Sequence, residues 1–193
     1  MHKFVKIIFI FVSTLLLSSC VIFKGNNLEK IESKQIKSAL SKKKKIYVRW
    51  DFDFSPIAQS NLTYDARERL FEKILEESNC CELVKKKSEA DLIFEGKAYD
   101  QRNQLGFIGL LASAVTFYII PSWHTAKIFV TSDIKNDQKI RHYETMDSMT
   151  TAIWLPFIVA TPFAYDFDKT HKEILENSFR SLLLQMKNDS VFN

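Results

Sequence analysis

Apolar and polar positions alternate from Ile46 to Asp53: Ile46, Val48, Trp50 and Phe52 stand against Tyr47, Arg49, Asp51 and Asp53. Period two is the mark of a strand with one buried face. Ser55-Pro56 ends it, and the period then changes. Ala66, Leu70, Phe71, Ile74 and Leu75 make one stripe of a helix that Thr63 or Asp65 caps and that stops near Asn79. Glu82 to Lys86 reads as a short edge strand, and Asp91 to Tyr99 as a longer one with Leu92, Phe94 and Ala98 on one face. Ala126 to Ile134 is rich in β-branched and aromatic residues; Lys135-Asn136-Asp137-Gln138 turns the chain, and Lys139 to Thr151 returns as its hairpin partner. A last helix, capped by Asp168, buries Ile174, Leu175, Phe179, Leu182, Leu183 and Met186. Helices that need a sheet to pack on predict an α/β (α+β) two-layer sandwich. It has a mixed sheet of about five strands, two packed helices and an apolar helical insertion.

The insertion comes from two blocks that match neither period. Leu105 to Ile120 carries no charge and is closed by Pro121; Ala152 to Phe163 is broken by Pro156 and Pro162. The first would make about 24 Å of helix, short of the roughly 20 residues that a membrane span requires. Neither block alternates, which argues against pore-lining hairpins. A helix apolar on every side must be covered by protein or by lipid. Either the blocks pack on each other and complete the core, or they form an apolar face that enters a leaflet or meets a membrane partner.

The N-terminus has a pattern of its own. Lys3 and Lys6 precede the apolar run Ile7 to Leu17, the n-region and h-region of an export signal. That run is about 16 Å of helix against a hydrocarbon core of about 30 Å, so it makes a poor permanent span. It ends in Leu17-Ser18-Ser19-Cys20, which resembles the lipobox of bacterial lipoproteins. The resemblance covers residues 1–20. It implies cleavage before Cys20, diacylation of its thiol and acylation of the new amino group. Residues 1–19 are then the signal peptide, and two or more acyl chains give stable anchoring where one would be marginal. Val21, rather than Asp, after the cysteine points by that family's sorting rule in diderm cells to the outer membrane. The implied location is the cell envelope, facing the periplasm.

Charge sharpens this picture. The formal +4 of the 193-residue chain falls to +2 once Lys3 and Lys6 leave. Lys24, Lys30, Lys34, Lys37 and Lys42 to Lys45 crowd into residues 20–45 against Glu29 and Glu32, while 46–193 is mildly acidic. Residues 20–45 therefore read as a lipidated basic tether, either solvated or drawn to anionic headgroups, with Leu28, Ile31 and Ile36 near the spacing of a short helix. Residues 46–193 read as a single periplasmic α/β domain. So small a charge excludes a committed nucleic-acid binder. Beyond Cys20 only Cys80 and Cys81 remain; adjacent Cα atoms lie closer than an ordinary disulfide allows. A strained vicinal bridge, an intermolecular bridge and two free thiols all stay open.

The body also resembles, in outline, the periplasmic α/β domains of lipoproteins such as the curli-secretion channel subunit and activators of penicillin-binding proteins. The resemblance rests on the strand Ile46 to Phe52, the helix ending near Asn79 and Ala90 to Gly96, and it implies no site residue. No phosphate loop, Gly-x-Ser-x-Gly elbow, His-Glu-x-x-His or Cys-x-x-Cys is present. His2 leaves with the signal, and His124, His142 and His171 lie on separate elements. Asp51 and Asp53 share a strand face, where they either bind a cation or stand solvated; Arg67, Glu68 and Arg69 read as a wet helix face. The expectation is a non-enzymatic lipoprotein with Cys20 as the lipid-attachment site. It has no metal and no cofactor beyond the covalent lipid, and its partners are the membrane and an envelope protein. Two alternatives are a periplasmic hydrolase of cell-wall or lipid substrates and a subunit of an oligomeric export complex.

Overall fold

The computed structural model describes residues 20–38, 43–55, 61–102, 104–136, 139–157 and 166–192. Residues 1–19 (expected as a signal peptide and including His2), Lys42 of the basic run, Pro56, the turn residues Asp137 and Gln138, and 158–163 of the second apolar block lie outside them. The strands are β1 (Cys20–Lys24), β2 (Lys44–Asp53), β3 (Cys81–Leu83), β4 (Leu92–Arg102), β5 (Ser122–Asn136) and β6 (Lys139–Ile153). The helices are α1 (Ser33–Ile36), α2 (Tyr64–Ser78), α3 (Gln104–Val115) and α4 (Phe167–Asn188). The fold is mixed α+β, with one six-stranded sheet in the order β1-β6-β5-β4-β2-β3.

The strand count corrects the expected five, and the added strand is β1. Cys20-Val21-Ile22-Phe23-Lys24 pairs antiparallel with β6, from Cys20 opposite Ile153 to Lys24 opposite Met149. Val21 and Ile22 are buried, which a solvated tether would not allow. The following residues are pinned as well. The Ile31 N–H donates to Asn177 Oδ1 (2.9 Å), and Asn177 Nδ2 donates to the Glu29 carbonyl (3.0 Å). Lys187 Nζ donates to the Gln35 and Lys37 carbonyls, while Ile31 and Ile36 are buried. The expected helix here is a single turn closed by a Glu32–Gln35 capping box.

The chain divides into two compact units. One comprises Met1–Gly25, Arg102–Ala126 and Met149–Thr170; the other comprises Asn26–Gln101, Lys127–Ser148 and His171–Asn193. In the second unit β2 runs parallel to both β3 and β4, with α2 as the crossover. Thr63 caps α2, its side chain accepting from the Ala66 N–H, and Asn79 ends the helix in the left-handed region (φ 55°). α4 begins two residues earlier than expected: Asp166 Oδ1, not Asp168, accepts from the Lys169 N–H (2.8 Å). The anticipated stripe Ile174, Leu175, Phe179, Leu182, Leu183 and Met186 is fully buried. Cys80 and Cys81 are joined as a vicinal disulfide, the first of the three options, in a buried position after α2.

Trp50 organises this core. Its ring lies 4.9 Å from Phe71 of α2, 4.9 Å from Phe179 of α4 and 5.1 Å from Phe94 of β4, measured between centroids. The register sets Trp50 beside Gly96 on β4. A Cβ at Gly96 would meet Trp50 Cζ3 at 2.5 Å and Phe94 Cε1 at 2.7 Å, so the indole occupies space that any other residue would need. Gly96→Ala is therefore expected to destabilise by about 1–3 kcal/mol, the usual range for overpacking. Combining it with Trp50→Phe should recover part of that loss, with a coupling of at least about 0.5 kcal/mol in urea unfolding. Additive effects would refute the steric account.

Candidate functional site

Between Arg102 and Lys127, and again between Asp147 and Asp166, there is no Asp, Glu, Lys or Arg. α3 and the turn after it lie in the first of these stretches, and both belong to the first unit. The helix is polar by no face, yet it is far from buried. Gly106, Gly109 and Ser113 stand one turn apart on the side nearest the start of β5. A Cβ on Gly106 would meet His124 Nδ1 at 2.4 Å, one on Gly109 would meet Ser122 Cβ at 3.8 Å, and Ser113 is buried. Small residues let the helix backbone approach the strand closely. Three bulky residues take the other side: Ile108 is 62%, Leu111 53% and Val115 80% exposed. Large apolar side chains therefore face outward, the reverse of an ordinary amphipathic helix.

The turn after α3 continues this surface. Phe117, Ile119 and Ile120 are exposed, and so is Trp123 at the start of β5. Phe117 (φ 51°) and Tyr118 (φ 62°) both take the left-handed region, which costs about 1–2 kcal/mol for a residue with a Cβ. A set of hydrogen bonds holds them there. The Tyr118 N–H donates to the Ser113 carbonyl (2.7 Å), and the Ile119 N–H to that of Thr116 (3.1 Å). Ser113 Oγ donates to the Ile120 carbonyl (2.8 Å). From the end of β6, the Leu155 N–H reaches the Tyr118 carbonyl (2.8 Å) and Trp154 Nε1 the Ile119 carbonyl (3.2 Å).

These contacts bring Cys20 into the picture through its backbone. Cys20 pairs with Ile153, and the next residue, Trp154, clasps the turn. Cys20 thus lies at the end of the edge strand that borders the exposed apolar turn. Sequence reasoning identified both the cysteine and the block 105–120 but had no means of joining them. The link runs through β1, which the periodicity did not reveal. The second block divides: Ala152 and Ile153 finish β6, Leu155 to Phe157 form a short helical turn, and Trp154 packs edge-on against Phe157 (5.6 Å).

The titratable candidates assemble no reaction centre. His142 Nδ1 lies 2.8 Å from Asp133 Oδ1 in an exposed pair. His171 is buried, its ring edge-on to Phe54 at 5.0 Å. Asp51 and Asp53 do share a face, but Lys97 Nζ stands 3.8 and 3.7 Å from their carboxylates and supplies the positive charge itself. Among the described residues there is no group of three or more His, Cys, Asp or Glu placed to hold a metal ion. Arg67 departs from its expected wet face: it is buried, with its guanidinium 4.7 Å from the Phe54 ring and 5.9 Å from that of Phe52.

An open polar groove runs over β2 and β4, lined by Tyr47, Arg49, Asp51, Tyr64, Glu68 and Glu95. Tyr64 donates its phenol proton to the Trp50 carbonyl; burial first, then the charges of Glu68 and Asp51, push its pKa up. Lys135 Nζ contacts Glu95, and this hydrogen bond is the main cause of a carboxylate pKa below its ordinary value. The groove is wide and carries no arrangement of nucleophile and base.

No protein-family model matches the chain, and no curated protein matches it. Among solved structures it is similar to a neuraminyllactose-binding hemagglutinin homolog from Helicobacter pylori, at 8% identity and a TM-score of 0.41, covering 84% of this chain and 91% of that one. A DUF330 protein from Xanthomonas campestris gives 10% identity, a TM-score of 0.34 and coverage of 77% and 89%. The PelC dodecamer from Paraburkholderia phytofirmans gives 10%, 0.29, and 82% and 99%. None of these scores reaches 0.5.

The Glu95–Lys135 pair gives a pH prediction. A depressed carboxylate pKa adds stability above the unfolded-state pKa, and that stability is lost as pH falls through the folded-state value. Lys135→Ala should therefore cost about 0.2–1 kcal/mol at neutral pH, as for other partly exposed pairs, and nothing once Glu95 is protonated in both proteins. Urea unfolding at neutral and acid pH tests this; a difference that persists in acid would rule the pair out as its source.

Proposed function

We propose that this chain is a lipid-anchored lipoprotein of the bacterial cell envelope. It is cleaved before Cys20, acylated there, and works without catalysis through membrane and protein contacts. The observation that carries the reading is the coincidence of two independent features at one place. The lipobox Leu17-Ser18-Ser19-Cys20 ends where β1 begins, and the ladder partner of Cys20 is Ile153, one residue before the Trp154 that clasps the exposed apolar turn. Among the described residues, no helix is long and apolar enough to cross a membrane; in this reading the acyl chains on Cys20 supply the anchor. Val21 favours the outer membrane, with the body facing the periplasm. In the unit that holds Trp50, α2 and α4 form one layer over the sheet, a two-layer sandwich that presents surfaces rather than a deep cleft.

Expression with an alkyne-tagged fatty acid, followed by intact-mass analysis, tests the proposal. The wild-type product should begin at Cys20, carry the mass of the acyl groups and partition into detergent. Cys20→Ala should keep its leader and lose the label entirely. An unacylated Cys20 in the native product would overturn the reading.

A further inference from the structure

We infer that the α3 helix and its following turn form a second membrane contact, seated in the outer half of the same leaflet that holds the Cys20 acyl chains. This inference rests on the lipoprotein reading and deepens it by naming what covers the apolar face.

Four observations select lipid as the occupant. The first is place: the backbone of Cys20 pairs with Ile153, and the next two residues, Trp154 and Leu155, bond directly to the turn, so the proposed attachment residue and the turn share one end of the β1–β6 pair. The second is charge. A protein interface has a polar rim with charged residues, but the chain is free of Asp, Glu, Lys and Arg from 103 to 126 and from 148 to 165. The third is the backbone. Hydrocarbon offers no hydrogen bonds, so an irregular turn that enters it must satisfy its own polar groups. This turn does so: the Phe117, Tyr118 and Ile119 N–H groups and the Tyr118, Ile119 and Ile120 carbonyls all have partners within the unit. The fourth is size. α3 has 12 residues, about 18 Å of helix, enough to lie along an interface and too little to cross one. Trp123, 67% exposed, has the amphipathic ring favoured at headgroup depth.

The left-handed pair Phe117–Tyr118 belongs to the same design. A turn built for water would place Gly or Asn at these positions; here two aromatic residues are held in that conformation, and Phe117 is thrown outward.

The test uses the full-length protein, purified in detergent and reconstituted into phosphatidylcholine–phosphatidylglycerol vesicles with plain or brominated acyl chains. Bromine quenches tryptophan emission on contact. Trp50 is buried in the core, so quenching reports Trp123 and Trp154. Emission should drop in brominated vesicles, and Trp123→Phe should remove most of the drop. Leu111→Glu with Val115→Glu, both at exposed positions, should abolish it while leaving the thermal unfolding midpoint unchanged. Intact mass is read on the same sample. Acylated protein with equal emission in both vesicles overturns the second contact and leaves the anchor standing. Quenching of a protein without acyl groups overturns the anchor and supports the contact on its own. Equal emission together with cross-linked dimers assigns the face to a second copy and also overturns the inference.

Discussion

The approach of the Trp50 indole to the bare α-carbon of Gly96 is the constraint on which the main body rests. Three aromatic rings from α2, β4 and α4 converge on that indole, so both long helices meet the sheet at this side chain. The parallel register of β2 and β4 is what brings the tryptophan and the glycine together, and a slip of one residue would turn the whole cluster to the wrong face. With so few glycines in the chain, their positions carry information. Gly96 admits a ring, and Gly106 and Gly109 admit a strand.

The unit that contains α3 follows a different logic. Along α3 the small residues Gly106, Gly109 and Ser113 lie toward the start of β5, Ile108, Leu111 and Val115 are exposed, and a set of hydrogen bonds closes the backbone of the turn that follows. Such an arrangement is costly in water, where each exposed aliphatic side chain orders solvent and gains nothing. It becomes sensible in a medium that competes for no hydrogen bonds. The same inversion distinguishes lipid-facing surfaces from soluble ones in general, and here it is confined to segments devoid of charge.

How much of this could be read in the sequence depended on whether the signal was local. The alternation of Ile46 to Asp53 and the stripe from Ala66 to Leu75 are set by periodicity and appear in the structure as β2 and α2. Thr63 and Asn79 could be read as helix bounds because capping is a local matter. β1 was hidden because Val21, Ile22 and Phe23 follow a leader and look like the start of a linker; only their pairing with Met149 to Ile153, far along the chain, makes them a strand. Arg67 was misread for the same reason. Its helix face is wet by sequence, but Phe52 and Phe54 come from another element and cover it. The four-residue motif singles out Cys20 as a candidate, but no local pattern shows that its backbone lies near the apolar turn. That nearness depends on hydrogen bonds from Trp154 and Leu155 that no sequence period encodes.

The absence of slack after Cys20 has a mechanical consequence. Many surface-anchored proteins sit on a long unstructured leash and can sweep a volume around their attachment point. In the proposed reading the mature chain would begin at Cys20, which is already paired into a sheet, so no free length of chain would separate the acyl groups from the unit that holds β1. In that reading the unit that holds β1 would stay at the bilayer plane, and whatever it engages would have to diffuse along that plane or arrive at it.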